Sequence, residues 1–330
     1  MKNSKILVIG DLHIGNNRNN PDFFKIVLEY GDWINQICKS KNIKNIVQLG
    51  DVFHFREMVH NPSINCAHQF FEKLQNYNIH IITGNHDSFY NDSSEVHSLK
   101  LLSNWPNITV HEKVTVLDNI CFCGWGAKID HIPYSDILFG HFDIKGFQVS
   151  SAKVSEHGFS ASDLMQKCKI LMSGHYHKPQ IRFYDKKPLI YSGSAFQLNW
   201  GESGEKKYVY ILDSETLQYE MIENEISPRF EYIRNEKDYE KANNNFVSVE
   251  ISDPAEFNKI VIKLKKLNAK DVRTTIKPVK QISDSVAMTE FKGVNFDDAA
   301  DEYTSLLEVS LDEKEYLANR FKQLYKTCTR

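Results

Sequence analysis

The chain has 330 residues, of which 41% are hydrophobic and 25% are charged, and its formal net charge is −3. A chain of this length can bury a substantial core, so we expect one large domain and a smaller unit. The charge excludes a protein that is basic throughout, so any contact with nucleic acid has to use local patches or a partner. No apolar stretch approaches the roughly 20 residues that span a bilayer, and we expect neither a membrane span nor a signal peptide.

The cysteines form no CxxC pair and no spacing typical of a small disulfide-rich domain. They therefore predict reduced thiols in a cytoplasmic protein. The six positions are Cys38, Cys66, Cys121, Cys123, Cys168 and Cys328.

Residues 1–225 alternate between strand-like and helical patterns. Buried-strand patterns at 5–10, 45–50 and 79–83 are separated by a helical pattern at 22–39 and by a second helix that begins at Pro62-Ser63. This alternation predicts βαβ units. Further strand-like runs follow with fewer helices between them, at 114–124, 135–139, 168–172, 181–184, 188–192 and 207–212. We expect an α/β fold, a two-layered β-sandwich flanked by helices.

The pattern changes after residue 226. A strand, a lysine-rich helix near 255–267 and a second strand predict a small β-α-β unit over 226–283. Eight Lys or Arg and one acidic residue lie in 259–280, whereas 281–315 holds ten Asp or Glu and two lysines. We therefore expect an acidic linker at 284–302. The segment 303–330 is expected to be helical, with a capping box from Ser310 to Glu313.

Polar residues follow five of the predicted strands, at the point where each strand ends. Because the carboxyl ends of parallel strands meet in one crevice, we expect these residues to share a site. In chain order they are Asp11 and His13, Asp51 and His54, Asn85 and His86, His141, and finally His175 and His177.

These residue types suit a centre with two divalent metals. Such a pair, roughly 3.5–4 Å apart, needs a bridging carboxylate, and Asp51 is placed to be it. Mixed imidazole, carboxylate and amide ligands suit Mn²⁺, Fe²⁺ or Zn²⁺ better than Mg²⁺ or Ca²⁺. Asp11 and His13 lie two apart on an extended segment, so they can bind one metal. His175 and His177 share that spacing, but a turn there can send them to different metals.

The motifs DLH, GD, GNHD, GH and GHYH, in this order, resemble those of the calcineurin-like metallophosphoesterase superfamily. The resemblance implies that Asp51 binds both metals and that a hydroxide between the metals attacks phosphorus. It also implies that His86 protonates or stabilises the leaving oxygen. The implied ligands are Asp11, His13, Asp51 and His177 for one metal, and Asp51, Asn85, His141 and His175 for the other.

The sequence GDVFH, together with Pro62-Ser63, is similar to the SbcD-type nuclease subunit of double-strand-break repair, including viral members. That resemblance implies that His54 assists phosphodiester cleavage. It further implies that 1–225 is the nuclease domain and 226–283 a DNA-capping domain. The segment 303–330 would then bind the coiled coil of an SbcC-type ABC ATPase.

The expected function is that of a Mn²⁺-dependent DNA exonuclease and endonuclease acting on double-strand ends, with hairpins as a further substrate. It would work with the ATPase as a homodimer within a heterotetramer, in the cytoplasm or, for a viral protein, in the host-cell cytoplasm. Two alternatives stay open. One is a phosphodiesterase for small nucleotides, and the other is a non-catalytic, metal-stabilised scaffold that bridges the ATPase and DNA.

Overall fold

The structure is a computed structural model that describes residues 4–150, 153–251, 256–276, 304 and 309–328. The chain divides into two compact units, Met1–Pro278 and Val279–Arg330.

The first unit is built on two six-stranded sheets. In the first sheet the strands β1 to β4 run parallel to one another, and β13 is antiparallel to β1. From edge to edge, this sheet contains Tyr219–Glu223 (β14), Tyr208–Asp213 (β13), Lys5–Ile9 (β1), Asn45–Gln48 (β2), Asn78–Ile82 (β3) and Ile108–His111 (β4).

The second sheet has four adjacent parallel strands in its centre, β12, β10, β7 and β6, with an antiparallel strand at each edge. From edge to edge, it contains Gln180–Tyr184 (β11), Lys187–Tyr191 (β12), Cys168–Gly174 (β10), Ser135–His141 (β7), Ile120–Cys123 (β6) and Thr115–Leu117 (β5). A separate hairpin is formed by Gln148–Ser150 (β8) and Lys153–Val154 (β9).

Alternation along the strands divides the core into layers. In β1, Ile6 and Val8 pack between the two sheets, whereas Leu7 and Ile9 face the helices. Successive side chains of a strand point to opposite faces, so one strand serves both layers. The prediction of an α/β fold with two sheets flanked by helices is confirmed.

Two helices pack on the outer face of the first sheet, and a short helix packs on the outer face of the second. The first long helix begins after Asn20, whose side chain accepts a hydrogen bond from the Asp22 amide at 2.9 Å, and it ends before the left-handed Asn42. Besides the short segment Asn16–Asn19, the helices of the described residues are Pro21–Lys41 (α1), Asn61–Lys73 (α2), Ala161–Met165 (α3), Phe257–Lys266 (α4) and Leu311–Cys328 (α5). Short 3₁₀ segments lie at Ser98–Leu101, Ile129–His131, Trp200–Glu202 and Glu236–Ala242.

The expectation of a single strand-like run at 114–124 is wrong. The run folds as the hairpin β5–β6, with Asp118 and Asn119 at the turn. Both residues have positive φ angles, 48° and 63°, which is the backbone that two-residue hairpin turns require. Asn and Asp tolerate this conformation better than other side chains do, and that was the overlooked signal.

A third, smaller sheet follows the sandwich. Its parallel strands are Phe230–Ile233 (β15), Phe246–Ile251 (β16) and Asp271–Ile276 (β17). With α4 between β16 and β17, the predicted β-α-β unit is present. The ring of Phe23 in α1 stacks on Phe246 with centroids 5.3 Å apart, which ties this sheet to the sandwich. The domain boundaries remain predictions, and 284–302 lies outside the described residues.

The described part of the second unit is mainly the helix α5. The Ser310 amide donates to Glu313 Oε2 at 3.0 Å, and the Glu313 amide donates back to Ser310 Oγ at 3.4 Å. This is the predicted capping box. Within the described ranges, no helix combines the length and the apolar character that crossing a membrane requires.

A buried histidine pair makes the fold sensitive to acid. His80 Nδ1 lies 3.0 Å from His111 Nε2, and the His111 ring stacks on Phe122. Burial lowers the pKa of His80 to about 4 and that of His111 to about 3. In the unfolded chain both rings take up protons below their ordinary pKa of about 6.5. The stability that the neutral pair contributes is therefore complete above pH 6.5 and is lost as the pH falls toward 4.

We expect the free energy of unfolding to fall by about 2 kcal/mol for each of these rings between pH 7 and pH 5. Urea unfolding in the presence of a chelator measures this fall, and His111→Gln should reduce it by about 2 kcal/mol. The exposed His157→Gln is the matched control and should leave it unchanged. An equal fall in His111→Gln and in the unchanged protein would contradict the assignment.

Candidate metal centre

All nine predicted site residues lie at one edge of the sandwich. They lie at or just beyond the carboxyl ends of β1, β2 and β3 in the first sheet and of β7 and β10 in the second, as the parallel pairing of these strands requires. By strand, they are Asp11 and His13, Asp51 and His54, Asn85 and His86, His141, and His175 and His177.

Backbone hydrogen bonds hold the first two loops together. The amides of Leu12 and His13 both donate to the Asp51 carbonyl, at 3.1 and 3.0 Å. The buried Gln48 side chain donates to the carbonyls of Gly10 at 3.2 Å and Gly50 at 2.6 Å. Sequence reasoning missed Gln48, because a glutamine inside a strand carries no metal-ligand signal.

Three of the predicted ligands have a left-handed backbone. The φ angles are 47° at His13, 54° at Asp51 and 94° at His175. Residues with a side chain rarely adopt this conformation, and such positions are concentrated at functional sites. The loops after β1, β2 and β10 are therefore shaped by the site rather than by local preference.

One half of the site consists of Asp11, His13 and His177, whose ligand atoms all lie within 4.8 Å of one another. His13 Nε2 is 3.0 Å from His177 Nε2. His177 Nδ1 donates to the Glu202 carboxylate at 3.0 Å, so its Nε2 can present a lone pair to the site. We call this the exposed half-site, because the His177 side chain keeps 30% of its surface accessible.

The other half consists of Asn85, His141 and His175. Asn85 Oδ1 lies 2.9 Å from His141 Nε2 and 2.8 Å from His175 Nδ1. His141 Nδ1 donates to the Leu49 carbonyl at 2.7 Å, which leaves its Nε2 as the atom that faces the site. We call this the buried half-site, because the His141 side chain is fully buried. His175 and His177 thus point into different halves, which resolves the alternative that their spacing left open.

Asp51 lies between the two halves. Its Oδ2 atom is 3.5 Å from His13 Nε2 and also 3.5 Å from His141 Nε2. Its Oδ1 atom accepts a hydrogen bond from the His86 amide at 2.8 Å. The carboxylate is therefore oriented so that one oxygen faces both half-sites.

His54 and His86 lie beside His13, and ligand atoms of these three residues lie within 4.8 Å of one another. His86 Nδ1 donates to the His54 carbonyl at 2.6 Å, so its Nε2 is the ring nitrogen left for other partners. Burial and the neighbouring His86 lower the pKa of His54 to about 4. The Asp87 carboxylate accepts hydrogen bonds from the backbone amides of Gly84 at 3.0 Å and Phe53 at 3.1 Å, so it holds the loops of the site together.

Burial sets the charge state of the site. It raises the pKa of Asp11 to about 7 despite the lowering effect of His141. Burial would also raise the pKa of Asp51, but His141 and His13 hold it well below its ordinary value. Against the effect of its own burial, His141 has its pKa raised to about 9 by Asp51. Two buried carboxylates thus draw positive charge, and a divalent cation can supply it.

Comparison with known proteins gives the family. The model of the calcineurin-like phosphoesterases matches residues 4–182. The chain belongs to the calcineurin-like phosphoesterase family. As predicted, this phosphoesterase is a metal-dependent hydrolase of phosphoesters.

The sequence identity to individual relatives is low. The phosphoesterase is 26% identical to exonuclease subunit 1 of Enterobacteria phage T4, over 98% of this chain and 99% of that protein. Among solved structures, a novel archaeal phosphodiesterase is 18% identical, over 67% of this chain and 99% of the other, with a TM-score of 0.39. The nuclease MPE of Pseudomonas putida is 16% identical, over 62% and 83% of the two chains, with a TM-score of 0.34.

The donor atoms of the phosphoesterase fit the divalent metals that its family uses. They are carboxylate and amide oxygens together with imidazole nitrogens, and His141 and His177 each have the second ring nitrogen bonded to a carbonyl or a carboxylate. Such outer bonds fix the tautomer of a ligating histidine. The cluster can therefore bind metal, while the assignment of each ligand remains a prediction.

Glu202 and Lys207 support the exposed half-site, and sequence reasoning missed both. They form a buried ion pair at 2.7 Å. Glu202 accepts from the His177 side chain, while Lys207 Nζ donates to the His177 carbonyl at 2.8 Å. Burial would raise the pKa of Glu202, but the bond from His177 and the charge of Lys207 lower it to about 2. His177 is thus fixed through both its ring and its backbone.

We expect Glu202→Gln to weaken the binding of one metal ion by roughly 10- to 100-fold, because His177 loses the charged acceptor that orients its ring. Calorimetric titration of the metal-free protein with Mn²⁺ measures this change. Circular dichroism should show that the variant remains folded.

The exposed Glu215→Gln is the control and should bind metal like the unchanged protein. Unaltered binding of both ions by Glu202→Gln would show that the His177 ring needs no carboxylate.

Proposed function

We propose that the protein is a Mn²⁺-dependent DNA nuclease that acts on double-strand ends as the nuclease subunit of an SbcCD-like complex. The observation that carries the proposal is the placement of Asp51 Oδ2 at 3.5 Å from a histidine nitrogen of each half-site. The backbone amide of His86 donates to the other oxygen of this carboxylate. A carboxylate shared between two sets of ligands suits a pair of metals.

In this proposal, Asp11, His13, Asp51 and His177 hold one metal, and Asp51, Asn85, His141 and His175 hold the other. The metals, when bound, would supply Lewis-acid activation of the phosphate and of a water nucleophile for in-line displacement. The chain itself keeps the His141 side chain of the buried half-site fully buried. It also fixes the direction of the His141 and His177 imidazoles through outer hydrogen bonds.

His86 is proposed to exchange a proton with the leaving oxygen. Its Nδ1 is held by the His54 carbonyl at 2.6 Å, so only Nε2 is free for the substrate. The His54 ring stacks against the His86 ring with centroids 5.6 Å apart. We propose that His54 assists by fixing the position of His86 and of the phosphate beside it.

DNA as the substrate is supported by the similarity to an exonuclease subunit over nearly the whole of both chains. The lysines of α4 offer a further basic surface. The word "subunit" in the name of that relative agrees with a complex, which we propose to contain an SbcC-type ATPase and a homodimer of this chain. The five described cysteines are buried free thiols, in keeping with a location in the cytoplasm or, for a viral protein, in that of the host cell.

Cleavage of end-labelled linear duplex DNA in Mn²⁺, beside hydrolysis of bis-p-nitrophenyl phosphate, tests the proposal. We expect the unchanged protein to cut both. His86→Ser should lower kcat for DNA by about 100-fold or more, as expected for loss of a general acid. Calorimetry should show that this variant still binds its metals.

Hydrolysis of the small ester alone would favour the small-nucleotide phosphodiesterase. Absence of both reactions in every metal tested would favour the scaffold. Loss of metal from His86→Ser would show that His86 is a ligand and not a proton donor.

The helix α5 is proposed to bind the ATPase, since Tyr316 is 68% exposed and Phe321 39% exposed on it. We expect deletion of residues 303–330 to abolish co-purification with the coiled-coil base of an SbcC-type ATPase, because aromatic side chains of this kind contribute strongly to interfaces. Nuclease activity in Mn²⁺ should stay close to that of the full chain, because none of the predicted site residues lies in the deleted segment.

Phe321→Ala is the finer test and should weaken the complex by about tenfold or more. Glu315→Ala, an exposed polar position on the same helix, is its control. Retention of the ATPase by the truncated chain would place the contact elsewhere.

A further inference from the structure

A pocket beside the metal centre is used by none of the roles above. It has a volume of about 300 Å³ and is lined by Trp125, His141, Phe142, Phe159, Asp143 and Asn91. This volume is at the lower end of the range for small-ligand pockets, so it offers room for one planar ring system. His141 belongs both to this pocket and to the buried half-site, so the two sites adjoin.

Trp125 forms one wall and is held firmly. Its Nε1 donates to the Asn91 carbonyl at 2.7 Å, and its amide donates to the Thr83 carbonyl at 2.9 Å. The indole centroid is 5.3 Å from that of His175 and 5.9 Å from that of His141. The indole is half-buried, and its position is fixed before any ligand arrives.

Another part of the lining is aromatic and is also preformed. The Phe159 ring meets the Phe142 ring edge to face with centroids 5.4 Å apart, and the Phe159 amide donates to the Asp143 carbonyl at 2.8 Å. Gly126 and Gly158 complete the lining, with left-handed φ angles of 81° and 92°. A side chain at either position would strain this backbone, so this part of the wall consists of main chain alone.

We propose that this pocket binds one unpaired nucleobase of the strand whose phosphate lies at the metal centre. The proposal rests on the nuclease function argued above and names the nucleotide conformation that the site requires. An aromatic wall suits a base because every base has a flat face that can stack on it. Asp143 also lines the pocket. Its Oδ1 accepts from Ser155 Oγ at 3.0 Å and from the Tyr176 hydroxyl, and the proposal assigns Oδ2 to accept from an amino group of the base.

The pocket has a consequence for the substrate. A base inside a duplex is stacked and paired, and moving it into a side pocket requires unstacking. The nuclease should therefore cut frayed, mismatched or single-stranded positions faster than fully paired ones.

A single-stranded oligonucleotide provides the test. Cleavage at one phosphate in Mn²⁺ is compared with cleavage of the same strand carrying an abasic tetrahydrofuran residue on the 5′ or the 3′ side of that phosphate. On one side, loss of the base should slow cleavage by roughly 5- to 150-fold, the range expected for one stacked base. The ratio of the cleavage rate of the intact strand to that of the abasic strand should fall to near one in Trp125→Ala. Trp125→Phe should keep most of the difference between the two strands.

Trp105→Phe is the matched control, since Trp105 packs on the core beside the helices, and its ratio should equal that of the unchanged protein. A ratio near one in the unchanged protein on both sides would overturn the proposal. So would an unaltered ratio in Trp125→Ala.

Failure of the proposed function would look different, because then no oligonucleotide would be cut while a small phosphodiester was hydrolysed. The pocket is then tested by fluorescence anisotropy with His86→Ser, which compares its affinity for the labelled intact strand with its affinity for the labelled abasic strand. Tighter binding of the strand that keeps its base would support the pocket without a nuclease. Equal affinities would overturn it.

Discussion

The site depends on the burial of two carboxylates, Asp11 and Asp51, with oxygens within 4.8 Å of each other. Buried charges of one sign are costly unless hydrogen bonds and opposite charge compensate them. The chain brings backbone amides to both: His175 N donates to Asp11 at 3.1 Å, and His86 N donates to Asp51 at 2.8 Å. The loops after β3 and β10 therefore have to approach the carboxylates at the level of the main chain.

That close approach explains two glycines of the motifs. A Cβ at Gly84 would lie 2.1 Å from Asp51 Oδ1, and one at Gly174 would lie 2.6 Å from Asp11 Oδ1. No side chain fits at such distances, so the strands can end against the carboxylates only if these positions carry none. The same turns place the histidines that follow these glycines, His86 and His175, in the site. The GNHD and GHYH motifs thus combine a steric requirement with a chemical one.

The side chains that meet in the candidate metal centre could be predicted from the sequence because their chemistry is visible in single residues. His and Asp after buried strands are informative wherever parallel pairing is expected. Glu202 and Trp125 could not be found in this way, since a glutamate in a polar loop and a tryptophan after a strand have many other uses. What distinguishes them is the partner they meet in space, His177 at 3.0 Å for Glu202 and the rings of His141 and His175 for Trp125. Such partnerships arise from tertiary packing, which local patterns do not encode.

The two half-sites also differ in what holds them. His141 and Asn85 are fixed by the sandwich itself, through the Leu49 carbonyl and the end of β3. His177 depends on Glu202, which lies in the same 3₁₀ segment as Trp200. The Trp200 ring in turn contacts Phe230 and Tyr232 of the small sheet, with centroids 5.0 and 5.3 Å apart. A chain of packed side chains thus connects the small sheet to the exposed half-site, through Trp200 and the Glu202 carboxylate that accepts from His177.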